Sequence, residues 1–302
     1  MTARVTRLAA AVASLVVSVA LAGCGSSDSG SGSGGRLSVV ASTDVWGDVA
    51  RTVGGPEVTV TSLISQPSQD PHSFDVSASD LLAVSRASLV IANGGGYDDF
   101  MAQLVRSSRT EATVLDAVEV SGRATGGALN EHVWYDLRTA QRMADAVAAT
   151  LGRERPADAA GFTRRARVFD ARLDRLVQEE AAVKRQVGGA RIGITEPVPL
   201  YLTEACGLVD ATPAAFSEAI EEGDDLAPQV LQQTLALYTD RRVAALVYNE
   251  QTTGAATERV EGAARASGIP VVPMTETLPA GLDYAGWMQQ NLSRLRAAVA
   301  GS

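Results

Sequence analysis

From Leu37 onward the sequence predicts an α/β fold: two (βα)n lobes with parallel sheets, joined by a single long backbone helix. Three observations predict it. Short apolar runs bounded by turn residues alternate with segments of helical periodicity, as strands linked by crossover helices do. The alternation restarts after Gly188-Gly189, so two halves of similar size result. Between them, residues 157–187 carry Phe162, Ala166, Phe169, Leu173, Leu176 and Val177 at helical spacing, with no Gly or Pro between Gly161 and Gly188. A helix of some 25 residues spans on the order of 37 Å at 1.5 Å per residue, more than one layer of a small α/β domain needs. It reads as a strut, 157–187, between lobes at 37–156 and 188–302.

In the first half, 37–41 reads as a strand and 45–53 as the helix after it. Gly54-Gly55-Pro56 breaks the chain before the strand 58–64. Ser77-Ala78-Ser79-Asp80 has the pattern of a helix start, giving a helix over 77–85. Residues 88–92 form a short buried strand ending in Asn93-Gly94-Gly95-Gly96. Three glycines suggest a phosphate cradle, but the spacing is not that of a P-loop and no Lys-Ser/Thr follows. A tight strand-to-helix turn is the better reading. Helix 97–106, strand 113–115, a flexible loop at 121–130 and helix 137–151 complete this half. In the second half the strands are 191–195, 209–212, 243–248 and 271–274. Helices fall at 198–206, 227–238, 253–267 and 283–299, with an acidic loop at 218–225.

The N-terminus reads as a targeting segment. Arg4 and Arg7 precede an apolar stretch, 8–22, too short and too abruptly ended to span a bilayer as a mature helix. It closes on Leu21-Ala22-Gly23-Cys24, which resembles the bacterial lipobox. The resemblance implies a signal peptide, 1–23, cut before Cys24, whose thiol carries lipid. Residues 25–35 are Gly and Ser with one Asp, a flexible tether that extends the anchor segment to 24–36. The expected location is therefore the outer face of the cell membrane, with the membrane itself a partner through the anchor.

The formal charge is −9, and −11 once Arg4 and Arg7 leave with the signal. A clearly acidic chain without a basic run argues against nucleic acid as partner and mildly favours a cation as ligand. With Cys24 lipidated, Cys206 is the remaining thiol, so no internal disulfide is expected. It reads as a small buried residue.

The chain has two histidines, His72 and His132. Each lies in a connection that leads into a helix. In parallel α/β sheets, ligands bind at the carboxyl ends of strands. In the second half the residues just after strands are Glu196, following Ile192-Gly193-Ile194-Thr195, and Glu276, following Val271 to Thr275. Two imidazoles from one lobe and two carboxylates from the other would close a four-residue cage in the interlobe cleft. Neutral His and ionised Glu suit a divalent first-row cation, whose charge the two carboxylates offset. Asp70, Asp75, Asp136 and Glu250 are rival carboxylates that sequence position alone does not separate.

Motifs sharpen the choice. Asp70-Pro71-His72-Ser73-Phe74-Asp75 resembles the Asp-Pro-His-x-Phe/Tyr-Glu/Asp signature of the metal-binding solute-binding lipoproteins of zinc/manganese ABC importers. His132-Val133-Trp134-Tyr135-Asp136 is similar to that family's His-Val/Ile-Trp-Leu-Asp segment. Thr195-Glu196 stands where the family places its third ligand, His in zinc-type and Glu in manganese-type members. Thr275-Glu276-Thr277 is similar to the segment bearing its fourth, a carboxylate that is usually Asp. The resemblance covers residues 37 to the C-terminus, in order, and includes the long helix. It implies metal ligands His72, His132, Glu196 and Glu276, with Asp70, Asp136 and Glu250 as candidates for orienting them. Three departures stand out: Asn130-Glu131 replaces the usual Asp-Pro, Glu replaces Asp at 276, and the His-rich loop of many zinc-type members is absent.

The expected function is that of an extracytoplasmic, monomeric receptor that captures one divalent metal ion and delivers it to an ABC importer permease. It is not expected to be an enzyme. Replacing a third His by Glu hardens the donor set and tilts the expectation slightly to Mn²⁺ over Zn²⁺, with Fe²⁺ left open. The alternatives are a secreted metal-dependent hydrolase, a surface adhesion protein with a structural metal, and a receptor for a chelated ligand. No His-Glu-x-x-His or Gly-x-Ser-x-Gly occurs to support the first, and aromatic residues are scarce for the last.

Overall fold

The computed structural model describes residues 35–66, 69, 71, 74–123 and 129–301. The expected signal peptide, Cys24 and nearly all of the tether lie outside the described residues. Among those described, no helix is long and apolar enough to cross a membrane.

The first sheet begins with β1 (Leu37–Thr43), followed by α1 (Asp44–Gly54) and β2 (Val58–Ile64). Then come α2 (Ala78–Ser85), β3 (Leu89–Ala92), α3 (Asp99–Ser108), β4 (Thr113–Asp116) and α4 (Ala117–Ser121). Its strands are parallel in the order β2-β1-β3-β4. β3 is apolar throughout and buried throughout, as a strand covered on both faces must be. Ser77 caps α2 in a reciprocal capping box with Asp80, the start expected from the sequence.

After α5 (Leu137–Glu154), the long helix α6 runs over Ala159–Val187, 29 residues or about 43 Å at 1.5 Å per residue. Its buried residues, Phe162, Ala166, Phe169, Leu173, Leu176, Glu180 and Val183, alternate in steps of four and three, one stripe along a helix. The second sheet follows: β5 (Arg191–Ile194), α7 (Leu200–Ala205), β6 (Val209–Asp210), α8 (Ala214–Glu221) and α9 (Pro228–Thr239). It ends with β7 (Ala245–Asn249), α10 (Ala255–Ala266), β8 (Val271–Met274) and α11 (Tyr284–Ala300). These strands are also parallel, in the order β6-β5-β7-β8.

One continuous core joins the two halves. It takes Val39 and Ile91 from the first sheet, Ile194 and Val247 from the second, and the inner faces of α1, α5, α6 and α11. Smaller separate cores lie on the outer face of each sheet. Because α6 contributes to the shared core along its length, opening the lobes widely would expose apolar surface. Arg172 of α6 adds a two-pronged ion pair to Asp283, the cap of α11, at 2.6 and 2.9 Å.

Three local expectations differ. The stretch expected as a loop from 121 is preceded by the short α4, capped by Asp116. The acidic stretch 218–225 is helical as far as Glu221, because Phe216 and Ile220 lie four residues apart and pack inward. The helix expected over 198–206 starts only at Leu200, since Pro197 and Pro199 delay regular hydrogen bonding. Cys206 is buried with a free thiol, and burial pushes its pKa up to about 12.

Candidate metal centre

Each sheet is built outward from a middle pair, β1 and β3 in the first, β5 and β7 in the second. The crevice beyond the carboxyl ends of such a pair is where open parallel sheets receive ligands. Glu196 lies two residues beyond the end of β5, Asn249 ends β7, and Glu276 lies two residues beyond the end of β8. Asn93 stands at the end of β3.

Asn93 is fully buried and organises the first lobe's contribution. Its Oδ1 accepts from Trp46 Nε1 at 3.0 Å, and its Nδ2 donates to the Glu131 carbonyl at 2.9 Å. That bond seats the segment carrying His132 over the sheet end. The three glycines that follow all have positive φ, 79°, 72° and 101°, which non-glycine residues rarely adopt. At Gly94 a side chain would also collide with the Asp116 carboxylate. The turn is closed by Asp98, whose carboxylate accepts from Asn93 N and Gly94 N at 2.6 and 2.8 Å. The glycines therefore form the tight strand-to-helix turn expected, and the turn delivers Tyr97. Buried completely, Tyr97 donates its hydroxyl to Glu276 Oε2 at 3.0 Å, across the lobes. Burial and the Glu276 charge raise its pKa well above the usual phenol value, so it remains a donor.

His132 has no exposed surface. Asn130 Oδ1 accepts from both His132 N at 3.1 Å and His132 Nδ1 at 2.7 Å. The first bond identifies that atom as the amide oxygen, so Nδ1 carries a proton and Nε2 is the ring atom left to give a lone pair to a cation once it is deprotonated. Asn130 in turn donates from Nδ2 to the Pro197 carbonyl at 2.9 Å, and its own carbonyl accepts from Tyr201 at 2.7 Å. The departure Asn130-Glu131 thus supplies the ring's orienting partner and ties it to the other lobe. His132 Nε2 makes no hydrogen bond of acceptable geometry among the described residues and lies 3.3 Å from Glu221 Oε1. Burial pulls the His132 pKa down, but the carboxylates of Glu221, Glu276 and Glu131 outweigh it, and the net direction is upward.

The second lobe contributes carboxylates. Asn249 Nδ2 donates to Glu196 Oε2 at 2.5 Å and to Glu276 Oε1 at 2.8 Å, so one amide holds both acids. Gln251 Oε1 accepts from the backbone of Glu276 and Thr277 at 2.5 and 3.0 Å, and Tyr135 donates to the Thr275 carbonyl at 2.7 Å. Glu196 is 3 % exposed. Burial, then the charge of Glu221, push its pKa up to about 8. A buried imidazole with carboxylates around it is a donor set that fits a divalent first-row cation, which would take the place of the Nε2 proton.

Of the residues singled out from sequence, Glu196 and Glu276 share Asn249, Glu276 also accepts from Tyr97, and the Tyr97 ring meets the His132 ring edge-on with centroids 5.7 Å apart. His72 and Asp70 lie outside the described residues. Asp136 touches none of the three; it caps α5, pairs with Arg123 at 2.9 Å and accepts from Thr139 at 2.7 Å. Glu250 is exposed, with its backbone N–H bonded to the Met274 carbonyl, and Asp75 is exposed as well. Sequence reading missed Tyr97, Glu221 and Asn249. The strand-end rule that nominated Glu196 also nominates Asn249, had amides been searched alongside acids.

A sequence profile of the family described as the periplasmic component A of the zinc-uptake complex, ZnuA, matches residues 39–298. The chain belongs to that family. Its members are solute-binding proteins of ABC importers and not enzymes. Among relatives of this ZnuA-family chain, the manganese ABC transporter substrate-binding lipoprotein PsaA of Streptococcus mitis is 20% identical over 302 residues, 93% of this chain and 95% of its own. The periplasmic zinc binding protein TroA from Treponema pallidum superposes with TM-score 0.72 at 20% identity, covering 88% of this chain and 100% of its own. FpvC from Pseudomonas aeruginosa in complex with Mn²⁺ gives TM-score 0.72 at 20% identity, covering 88% and 99%. At these identities the structural likeness carries the fold: two parallel sheets bridged by one long helix.

Proposed function

We propose that this ZnuA-family protein is an extracytoplasmic receptor, anchored through Cys24, that captures one divalent first-row cation and hands it to an ABC importer permease. The ligands in this reading are His72, His132, Glu196 and Glu276. The observation that carries it is His132: a fully buried imidazole whose Nδ1 is fixed by Asn130 and whose Nε2, without a hydrogen bond among the described residues, lies 3.3 Å from a carboxylate oxygen of Glu221. Two imidazoles with two carboxylates make a harder set than three imidazoles with one, which favours Mn²⁺ slightly over Zn²⁺ in function, while Fe²⁺ satisfies the same donors. Zn²⁺ is still expected to bind these atoms more tightly, so affinity alone does not report the physiological cargo.

The interlobe bonds suit a receptor. Tyr97 to Glu276, Tyr135 to Thr275, Tyr284 to Trp134 and Asn130 to Pro197 tie the lobes together through protein groups on both sides. An empty protein should therefore stay folded, whereas a structural metal would be required for folding. The test is metal analysis of protein purified without chelators, followed by unfolding with and without chelator. One equivalent of metal is expected, and the stripped protein should unfold cooperatively. Cation at 100-fold its Kd should add about 2.7 kcal/mol of stability. An unfolded stripped protein, or the absence of any bound metal, overturns the reading. If His72→Ala and Glu276→Ala both held metal as tightly as wild type, the ligand assignment would be wrong.

A further inference from the structure

Glu221 is the last residue of α8 and belongs to the second lobe, yet its Oε1 lies 3.3 Å from His132 Nε2 of the first. Its side chain is 10% exposed. Donor atoms of Glu131, His132 and Glu221 all lie within 4.8 Å of one another. We propose that Glu221 is itself a ligand of the captured cation, sharing it with His132; this inference rests on the receptor reading above.

The simpler account is a buried His–Glu ion pair. It explains the short distance but leaves the surroundings unexplained. In a hydrogen-bonded pair His132 Nε2 would aim its proton at Glu221 Oε1, yet at 3.3 Å the two atoms make no hydrogen bond of acceptable geometry. Glu221 also ends its helix, where the peptide dipoles oppose a negative charge. A divalent cation between the lobes removes both objections. The geometry agrees. Two donors at about 2.1 Å from one metal and 3.3 Å apart subtend about 100°, between octahedral and tetrahedral neighbours. The second observation is the imidazole: His132 is fully buried, its tautomer is set by Asn130, and Nε2 makes no hydrogen bond of acceptable geometry among the described residues.

With Glu221 added, the set has three carboxylates beside its imidazoles. A higher oxygen count and coordination number suit Mn²⁺ better than tetrahedral Zn²⁺. Glu221 would then be the residue that sets this chain's discrimination between the two. α8 carries it from a stretch whose acidity suggests only a solvated loop.

The experiment is separate calorimetric titration with Mn²⁺ and with Zn²⁺ of wild type, Glu221→Gln, Glu276→Gln and Glu222→Gln. Glu222 is exposed and serves as control. X-ray absorption of the Mn²⁺-loaded proteins counts first-neighbour oxygens. Glu221→Gln is expected to weaken Mn²⁺ by at least about 10-fold and Zn²⁺ by less than about threefold, with one oxygen neighbour changed. Glu222→Gln should match wild type. If Glu221→Gln weakens both metals equally with an unchanged coordination shell, Glu221 only orients His132 and the proposal is overturned. Wild-type affinity for both metals in Glu221→Gln, while Glu276→Gln loses them, likewise overturns it and leaves the receptor reading standing. Failure of wild type to bind either metal overturns both. Should Glu221→Gln not fold, Glu221→Asp, which keeps the charge on an arm one methylene shorter, is put through the same titrations with the same expected ratio.

Discussion

Glu196→Gln should change stability and metal binding in opposite directions. In the empty protein Glu196 has a pKa of about 8, against 4.5 for an ordinary glutamate, because burial and then the Glu221 charge disfavour its ionised form. Between those two values the folded chain holds a proton that the unfolded chain has released. Stability of the empty protein therefore falls as pH rises from 4.5 to 8, by about 1.4 kcal/mol per pH unit. At pH 7 the accumulated loss is about 3 kcal/mol, and a neutral glutamine does not incur it. In chelator, Glu196→Gln is thus expected to be up to about 3 kcal/mol more stable than wild type at pH 7, the gain vanishing near pH 4.5. Metal binding should go the other way. Glutamine offers no anionic oxygen, so Mn²⁺ affinity should fall by at least about 100-fold, at or beyond the cost of losing an outer partner. Wild type should release close to one proton from Glu196 on binding at pH 7, read as a dependence of binding heat on buffer ionisation. Urea unfolding at pH 5, 7 and 8 in chelator, with calorimetry in two buffers, tests both halves. A stability difference that does not change with pH, or a Glu196→Gln protein that binds Mn²⁺ like wild type, would refute the reasoning.

Two further outcomes follow from contacts around the cleft. Tyr97→Phe removes the interlobe hydrogen bond to Glu276, so stability should drop by about 1–2 kcal/mol and cation affinity by about 10-fold; unchanged affinity in a titration would show that this hydroxyl does not position the carboxylate. Glu180, buried on α6, has its pKa pushed up to about 7 by burial and then by the Asp136 charge, so wild-type stability falls as pH rises from 4.5 to 7. Glu180→Gln should remove about 3 kcal/mol of that pH dependence, and difference curves from urea unfolding that stay flat over the same window would sink the account.

The relation between sequence and structure differs from one residue to the next. The capping box at Ser77, the buried run of β3 and the stripe along α6 were legible because each depends on residues a few positions apart. The placement of Glu196 beyond β5 and of Glu276 beyond β8 was legible because a strand predicts where its own carboxyl end will point. Glu221 was hidden by its acidic neighbours, which outweighed the Phe216–Ile220 spacing that makes α8 a helix. Residue 97 read only as the start of a helix, and the Tyr97 bond spans 179 positions to Glu276. Asp136 read as one of three candidates for orienting the ligands, and the structure places it as the cap of the following helix.

By itself the sequence determined the alternation of strands and helices, the continuous connecting helix, and the scarcity of histidine that obliges any four-ligand site to be completed by oxygen. Those are properties of composition and short-range periodicity. Only the tertiary structure decided that one amide, Asn249, gathers two carboxylates, that Asn130 fixes the His132 tautomer, and that Glu221 reaches His132 from the other lobe. Such meetings depend on the register of strands within two sheets and on how α6 sets the lobes against each other, and no local pattern encodes that convergence.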